Sequence, residues 1–373
     1  MRFLDLVWNN LAKRALPSLL TAAGIALAVA FGVSTIDMAR GFRKKFIEGY
    51  ASQGTHMIVS KVSRDSPLPK VFDVSVGSEI AKMEAVEAVS GMFWDLMSID
   101  GAPSRVVFGS EKDTFRWQFL KLVEGKIEAD RADVAYLGIL TAAALNKSTG
   151  DAISIESRTF RVAGIYEKSS PIDNNAVILP LEAMQEVLGQ PGKINFLNIR
   201  LRPDTTPEVF EDLRMRIQKR FRGLRACRAD ELFNESVGAQ AAMAMSLGVS
   251  ALSLAIGTLG VMNSVLMSVA ERKREIGLLM AVGWRRGRIV ALILSEAVVL
   301  SSLGGLAGAV FGLAAVEGLA RFGPLRGKIQ GDFSLDLILG ALAIAAAFGL
   351  IGGLLPSLRA AGLQPADTMR DGG

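Results

Sequence analysis

The sequence predicts a membrane protein with four transmembrane α-helices and a large α+β extracytoplasmic domain inserted between helices 1 and 2. Three observations carry that prediction. Half of the 373 residues are hydrophobic and only 21% are charged, too little charge to clothe a soluble chain of this size. The apolar residues are bunched into four runs, each long enough to cross a hydrocarbon core of about 30 Å, which takes roughly 20 helical residues. Between the first and second runs the pattern changes to short β-branched stretches separated by turn residues. The high hydrophobicity excludes intrinsic disorder. A single cysteine, Cys227, excludes an intrachain disulfide. With His56 the only histidine, almost nothing is left for a zinc site or a Cys/His catalytic pair.

Residues 1–15 form a short N-terminal segment containing Lys13 and Arg14, and transmembrane helix 1 follows over 16–40. Its run, LPSLLTAAGIALAVAFGVSTIDM, exceeds the roughly 7–15 residues of a signal-peptide core and reads as an anchor. Pro17 suits a first helical turn, where its missing N–H costs nothing. The domain occupies 41–235, helix 2 occupies 243–269, helix 3 occupies 289–319 and helix 4 occupies 335–358, with 270–288 and the tail 359–373 outside the bilayer. Orientation follows from lysine and arginine near the helix ends. Helix 1 alone is ambiguous, with Arg2, Lys13 and Arg14 before it and Arg40, Arg43, Lys44 and Lys45 after it. The loop after helix 2 decides it through Arg272, Lys273, Arg274, Arg285, Arg286 and Arg288, against only Arg321, Arg326 and Lys328 after helix 3. Both termini are expected on the cytoplasmic side of a bacterial inner membrane. The net charge of +5 is read as this bias rather than as nucleic-acid binding, since no basic stretch is interleaved with aromatics.

Within the domain, strands are expected at 57–60, 92–99, 106–108, 134–137, 152–155, 160–165, 176–179 and 195–201, and helices at 78–83, 140–146, 181–188 and 207–222. The last helix has Thr206 as N-cap, Pro207 at its first position and Glu208 in its first turn. Strands and helices in irregular order suggest α+β. His56, at the start of a strand, reads as structural. Asp73, Glu79 and Asp173 read as solvated surface. No catalytic constellation and no metal-like spacing is visible.

Helical character resumes at Ala229 and meets no proline before Glu275, so one helix of about 70 Å at 1.5 Å per residue is expected there, with a break near Gly238 or Gly248 as the alternative. Its excess over the bilayer, with an extension of helix 1 through 40–49, would make a stalk beneath the domain. Small residues recur every four positions in the membrane runs: Gly260, Ser264 and Ser268; Gly304, Gly308 and Gly312; Gly349 and Gly353. Such spacing lets helix backbones approach closely in lipid. Glu296, an acid inside the third run, lies close enough to the cytoplasmic interface for a packing or interface role. Between helices 2 and 3, Ile276, Leu279 and Met280 share one helical face, and Gly283 is a natural stop. This amphipathic element is expected to lie on lipid or to dock into a groove on a cytoplasmic partner.

The stretch GTLGVMNSVLMSVAERKREIGLLMAVGWRRGRIVALILSEAVVLSSLGGLAGAVFG resembles the permease signature of the MacB/FtsX/LolC group of ABC transporters, closest to the MacB-like branch through Met262–Asn263 and ER-REIGL from Glu271. The ending PSLRAAGLQPADTMR, the opening LPSLLTAAGIALAVAFGV and the stretch from Asp133 to Leu181 are similar to other parts of the same group, the region before residue 130 least so. The resemblance implies a machine of two permease subunits, as a homodimer or heterodimer, with two ATPase subunits on the cytoplasmic side. ATP-driven closure of the ATPases would move the stalk and reshape the outer domain, a mode called mechanotransmission, in export or extrusion of a lipid, lipoprotein, peptide or drug. A periplasmic adaptor or outer-membrane component would be a further partner, membrane lipid surrounds the helices, and no nucleic acid is implied. By position, Glu271, Arg272, Arg274, Glu275, Ile276, Gly277, Leu279 and Gly283 match the segment that contacts the ATPase. Trp284 departs from the small residue more usual there.

The residues themselves support part of this. No G-x-x-x-x-G-K-[ST] phosphate loop occurs, so the chain is expected to bind no cofactor and to perform no hydrolysis, with ATP and Mg held by a separate ATPase. An FtsX-like role, regulating an extracytoplasmic hydrolase or sensing a ligand, is the alternative. The apolar face predicts that Ile276→Asp with Leu279→Asp leaves the protein inserted and uncoupled.

Overall fold

The computed structural model describes residues 10, 15–61, 69–128, 131–168, 170–322 and 331–362. Arg2, Lys13, Arg14, Arg326, Lys328 and the tail beyond residue 362 lie outside them. The chain divides into two units, one built from residues up to 42 together with 242 onward, the other from 43–241.

In chain order the elements are α1 (Ala15–Ala51), β1 (Met57–Ser60), β2 (Phe72–Asp73), α2 (Ser75–Ile80), β3 (Val86–Ile99), β4 (Ala102–Ser110), α3 (Phe115–Gln118), β5 (Leu122–Gly125), β6 (Val134–Gly138), α4 (Ile139–Leu145), β7 (Ala152–Ile155), β8 (Arg158–Tyr166), α5 (Pro171–Asn174), β9 (Val177–Pro180), α6 (Leu181–Leu188), β10 (Lys193–Ile194), β11 (Phe196–Leu201), α7 (Pro207–Arg220), β12 (Arg225–Cys227), α8 (Ala229–Glu235), α9 (Val237–Glu271), α10 (Lys273–Ala281), α11 (Arg286–Arg321) and α12 (Leu335–Ala361). Four helices, α1, α9, α11 and α12, are long and apolar enough to cross a membrane.

The unit of residues 43–241 is built on one mixed sheet of ten strands among the described residues, in the order β12-β1-β11-β3-β4-β9-β6-β8-β5, with β7 pairing both β3 and β8. Most neighbours are antiparallel; β4 with β9 and β6 with β8 are parallel. The long β3–β4 hairpin turns at Asp100 and Gly101, both at positive φ, the backbone a two-residue hairpin turn requires. β1 and β9 are buried at every position, as expected of strands covered on both faces. The main core joins residues such as Met57, Phe93, Leu137, Phe160 and Leu179 from the sheet to Ile80 of α2, Met184 of α6 and Leu213 and Ile217 of α7. Each such side chain contributes roughly 1.5–3 kcal/mol of burial. α7 starts as its sequence dictates: the Val209 amide donates to Thr206 Oγ1, Pro207 opens the first turn, and Phe210, Leu213 and Ile217 form the inward stripe. His56 is structural, its Nδ1 accepting from the Leu201 amide at 3.0 Å. Asp73 and Glu79 are surface groups paired with Lys193 and Arg220. Asp173 differs from expectation: it is buried, 8% exposed, because α5 turns it inward behind Tyr166.

The expected unbroken helix from Ala229 to Glu275 is interrupted twice. Ser236 is extended, with ψ 131°, and its Oγ accepts from the Ala239 amide at 3.2 Å, so it ends α8 and caps α9. Arg272 leaves helical geometry at ψ 13°, ending α9 and starting α10. The 35 residues of α9 therefore span about 53 Å rather than 70 Å. α1, at 37 residues, is unbroken and spans about 55 Å.

In the other unit, α11 packs by its glycines. A Cβ on Gly304 would lie 2.8 Å from the Ala22 carbonyl oxygen, one on Gly312 2.7 Å from that of Ala30, and one on Gly308 would overlap the Ala26 backbone, so this row fits against α1. Gly349 of α12 meets Ser301 and Val298 of α11, and Gly353 meets Ala297. On α9 the stripe divides. Gly260 has open space around it, whereas Ser264 and Thr21 of α1 share a hydrogen bond of 2.6 Å. The bundle core runs through Ile25, Val29, Val261, Ile293, Ala345 and Phe348.

Candidate coupling segment

The segment between α9 and α11 is held from inside by one arginine. Where α9 ends, Arg272 points its guanidinium into the bundle, and Nη1 donates to both Glu296 oxygens at 3.1 and 3.0 Å. Both side chains are close to nine-tenths buried. Asn10 Nδ2 donates to the same carboxylate at 2.6 Å, and Arg272 Nε reaches back to Glu275 at 3.1 Å. Glu296 stands ten residues into α11, whose start at Arg286 precedes the apolar run expected from the sequence. A charge here is tolerable because it is paired and hydrogen-bonded. A cavity of about 500 Å³ lies beside the pair, with Thr21, Gly260, Ser264 and Ser268 in its wall.

The short helix α10 is fixed at its far end by Gly283, at φ 97°, where a side chain would be strained. The Trp284 amide then donates to the Leu279 carbonyl at 3.0 Å, and the chain turns into α11. Trp284 packs on the bundle core, and the Arg288 guanidinium sits 4.9 Å above its ring.

The inward face of α10 is the one expected to dock outward. Ile276 is 4% exposed inside the bundle core, Gly277 is buried, and Leu279 and Met280 pack against the same cluster. The free face carries Arg274, Leu278 and Val282, spaced by four, with Glu271, Lys273 and Glu275 beside them exposed. Leu278 is 50% and Val282 81% exposed, large apolar side chains of the kind that mark interaction surfaces. The sequence reading put Ile276, Leu279 and Met280 on the docking face; the structure packs that face into the bundle and leaves the i, i+4, i+8 row Arg274–Leu278–Val282 exposed. Among the described residues no group of three metal-ligating side chains exists.

Comparison with known proteins places this geometry. Residues 18–215 match the model of the MacB-like periplasmic core domain, and residues 247–365 match that of the FtsX-like permease C-terminal region. An uncharacterized ABC transporter permease of Methanocaldococcus jannaschii is 25% identical, with 97% of this chain and 96% of that protein aligned. The macrolide export ATP-binding/permease protein MacB of Neisseria gonorrhoeae is 28% identical over 94% of this chain, and the chain spans only 58% of that relative's length. The crystal structure of the periplasmic region of MacB from Actinobacillus actinomycetemcomitans aligns with 50% of this chain and 95% of its own, at 17% identity and a TM-score of 0.40. With a core-domain match over more than half its length and the permease match following it, the chain belongs to the MacB/FtsX-type ABC transporter permeases.

Proposed function

We propose that this permease couples ATP hydrolysis by an ABC ATPase to movement of its mixed-sheet domain across the membrane, and that α10 is where the ATPase grips it. The orientation expected from the basic loop places α10 and both termini in the cytoplasm and residues 43–241 outside. On that reading two permease copies act together, and the cargo is exported without a channel through this chain's helices. ATP and Mg belong to the ATPase; no residue of this chain acts on them.

The observation that supports the reading is the construction of α10. Buried Arg272, Ile276 and Gly277 make it part of the bundle, so a push on it moves α9 and α11. Its free face offers Arg274, Leu278 and Val282, an apolar pair beside a charge, to a groove in a partner. Gly283 keeps the helix short and its exit angle fixed. The coupling set is thus divided: Arg272, Ile276, Gly277 and Leu279 anchor the element, while Glu271, Arg274, Glu275, Leu278 and Val282 meet the ATPase.

The test uses tagged full-length chain purified from native membranes and measures the ATP hydrolysis that co-purifies. Leu278→Asp with Val282→Asp should leave insertion and melting temperature unchanged and reduce recovered hydrolysis at least tenfold. Undiminished hydrolysis in that variant would refute the assignment. Ile276→Asp, by contrast, should lower the melting temperature itself.

A further inference from the structure

We propose that the mixed-sheet domain holds one small inorganic anion, of the chloride class, in a niche between Arg116 and Lys168. The niche has a volume of about 10 Å³ and is walled by Met92, Phe108, Ser110, Trp117 and Ile178 besides the two cations. A space of that size takes one ion or one water, which excludes a peptide carboxylate or a phosphate ester.

The charges around it do not balance. Arg116 is 9% exposed, and its buried Nη1 has no hydrogen-bond partner. Lys168 Nζ donates to the neutral Gln53 Oε1 at 3.3 Å and lies 5.6 Å from the centre of the Tyr166 ring. Asp173 is the buried acid nearby, and it acts on both cations by charge alone, with no ion pair within 4 Å to either among the described residues. Two cations thus face one carboxylate that touches neither. Burial pulls the Lys168 ammonium down to about 8, Asp173 opposing and Arg116 assisting, and burial likewise lowers Arg116. An unpaired buried guanidinium N–H keeps the full cost of its lost hydration. A water could accept that hydrogen bond but would leave the excess positive charge; a halide answers both.

The position gives the anion a consequence. Gln53, which holds Lys168, stands two residues past the end of α1, and Gly49 of α1 lies against Ser170 and Asp173. The ion would bind the end of α1 to α3 and to the end of β8.

The test is a thermal melt of the full chain in detergent, followed by tryptophan fluorescence, as sodium chloride replaces sodium gluconate at constant ionic strength. A saturable rise of about 2–4 °C is expected, as for a ligand that binds only the folded state. Bromide should substitute for chloride, and Arg116→Met should abolish the rise. Bromide-soaked crystals of the unaltered chain should show an anomalous peak beside Arg116 Nη1, a readout independent of whether the variant folds. Equal midpoints in chloride and gluconate, an equal rise in Arg116→Met, or water alone at that position would overturn the proposal.

Discussion

Arg272 and Glu296 illustrate what one residue contributes here. Each is nearly buried and each is the other's main partner, so removing one strands a charge. Glu296→Ala should cost about 3–5 kcal/mol, read as a lowered melting temperature, whereas Arg272→Met with Glu296→Met should recover most of the loss, since apolar replacement of both partners is often neutral. A double variant as unstable as the single one would show that the pair does more than neutralise itself. Glu296 was legible as an acid within an apolar run. Its partner was not, because Arg272 sits among four charged neighbours, Glu271, Lys273, Arg274 and Glu275, and the local break in helix geometry turns it inward. Cys227 gives a second residue-scale prediction. Burial pushes its thiol up to about 12, so at pH 8 a maleimide should label it only after unfolding. Rapid labelling of the folded chain would contradict its burial in β12 beside β1.

At the scale of elements, the glycine row of α11 and Gly260 of α9 make a matched pair. Gly308→Leu forces a side chain into the Ala26 backbone and should cost about 1–3 kcal/mol, while Gly260→Leu enters open space and should cost much less. Equal losses in a detergent melt would mean that the α1–α11 contact is looser than described. The spacing by four was visible in the sequence; which stripe touches a neighbour was not, because identical spacing serves a contact and a free face alike. The same degeneracy hid the outward side of α10. Ser236 differs: a break near Gly238 was one reading of the sequence, and a serine before a new helical run is the N-cap signal that places it at Ser236. The short strands β2, β5, β10 and β12 escaped notice because two to four residues carry too little pattern to stand out.

For the whole molecule, the four apolar runs and the mixed domain were legible because composition alone imposes them. The strand order was not, since partners such as β4 and β9 lie far apart in the chain and are set by packing. Orientation is tested by paired labelling. A cysteine at exposed Ser148 should react with a membrane-impermeant maleimide in intact cells, and one at exposed Ala281 should react only after lysis; Cys227 is silent in both. The reverse pattern would put the domain in the cytoplasm and end the coupling proposal.

The break at Ser236 makes the two crossings between the units unequal. α1 carries its backbone ladder from residue 15 to residue 51 without a gap. The return path interrupts its helix at Ser236, whose hydroxyl accepts from the Ala239 amide and donates to the Phe233 carbonyl, beside the Phe46–Phe233 ring contact at 5.2 Å. Under the coupling proposed above, α1 would act as an unbroken rod and the return path as a jointed one, so a proline at Ser236 should be tolerated where one in the middle of α1 should not.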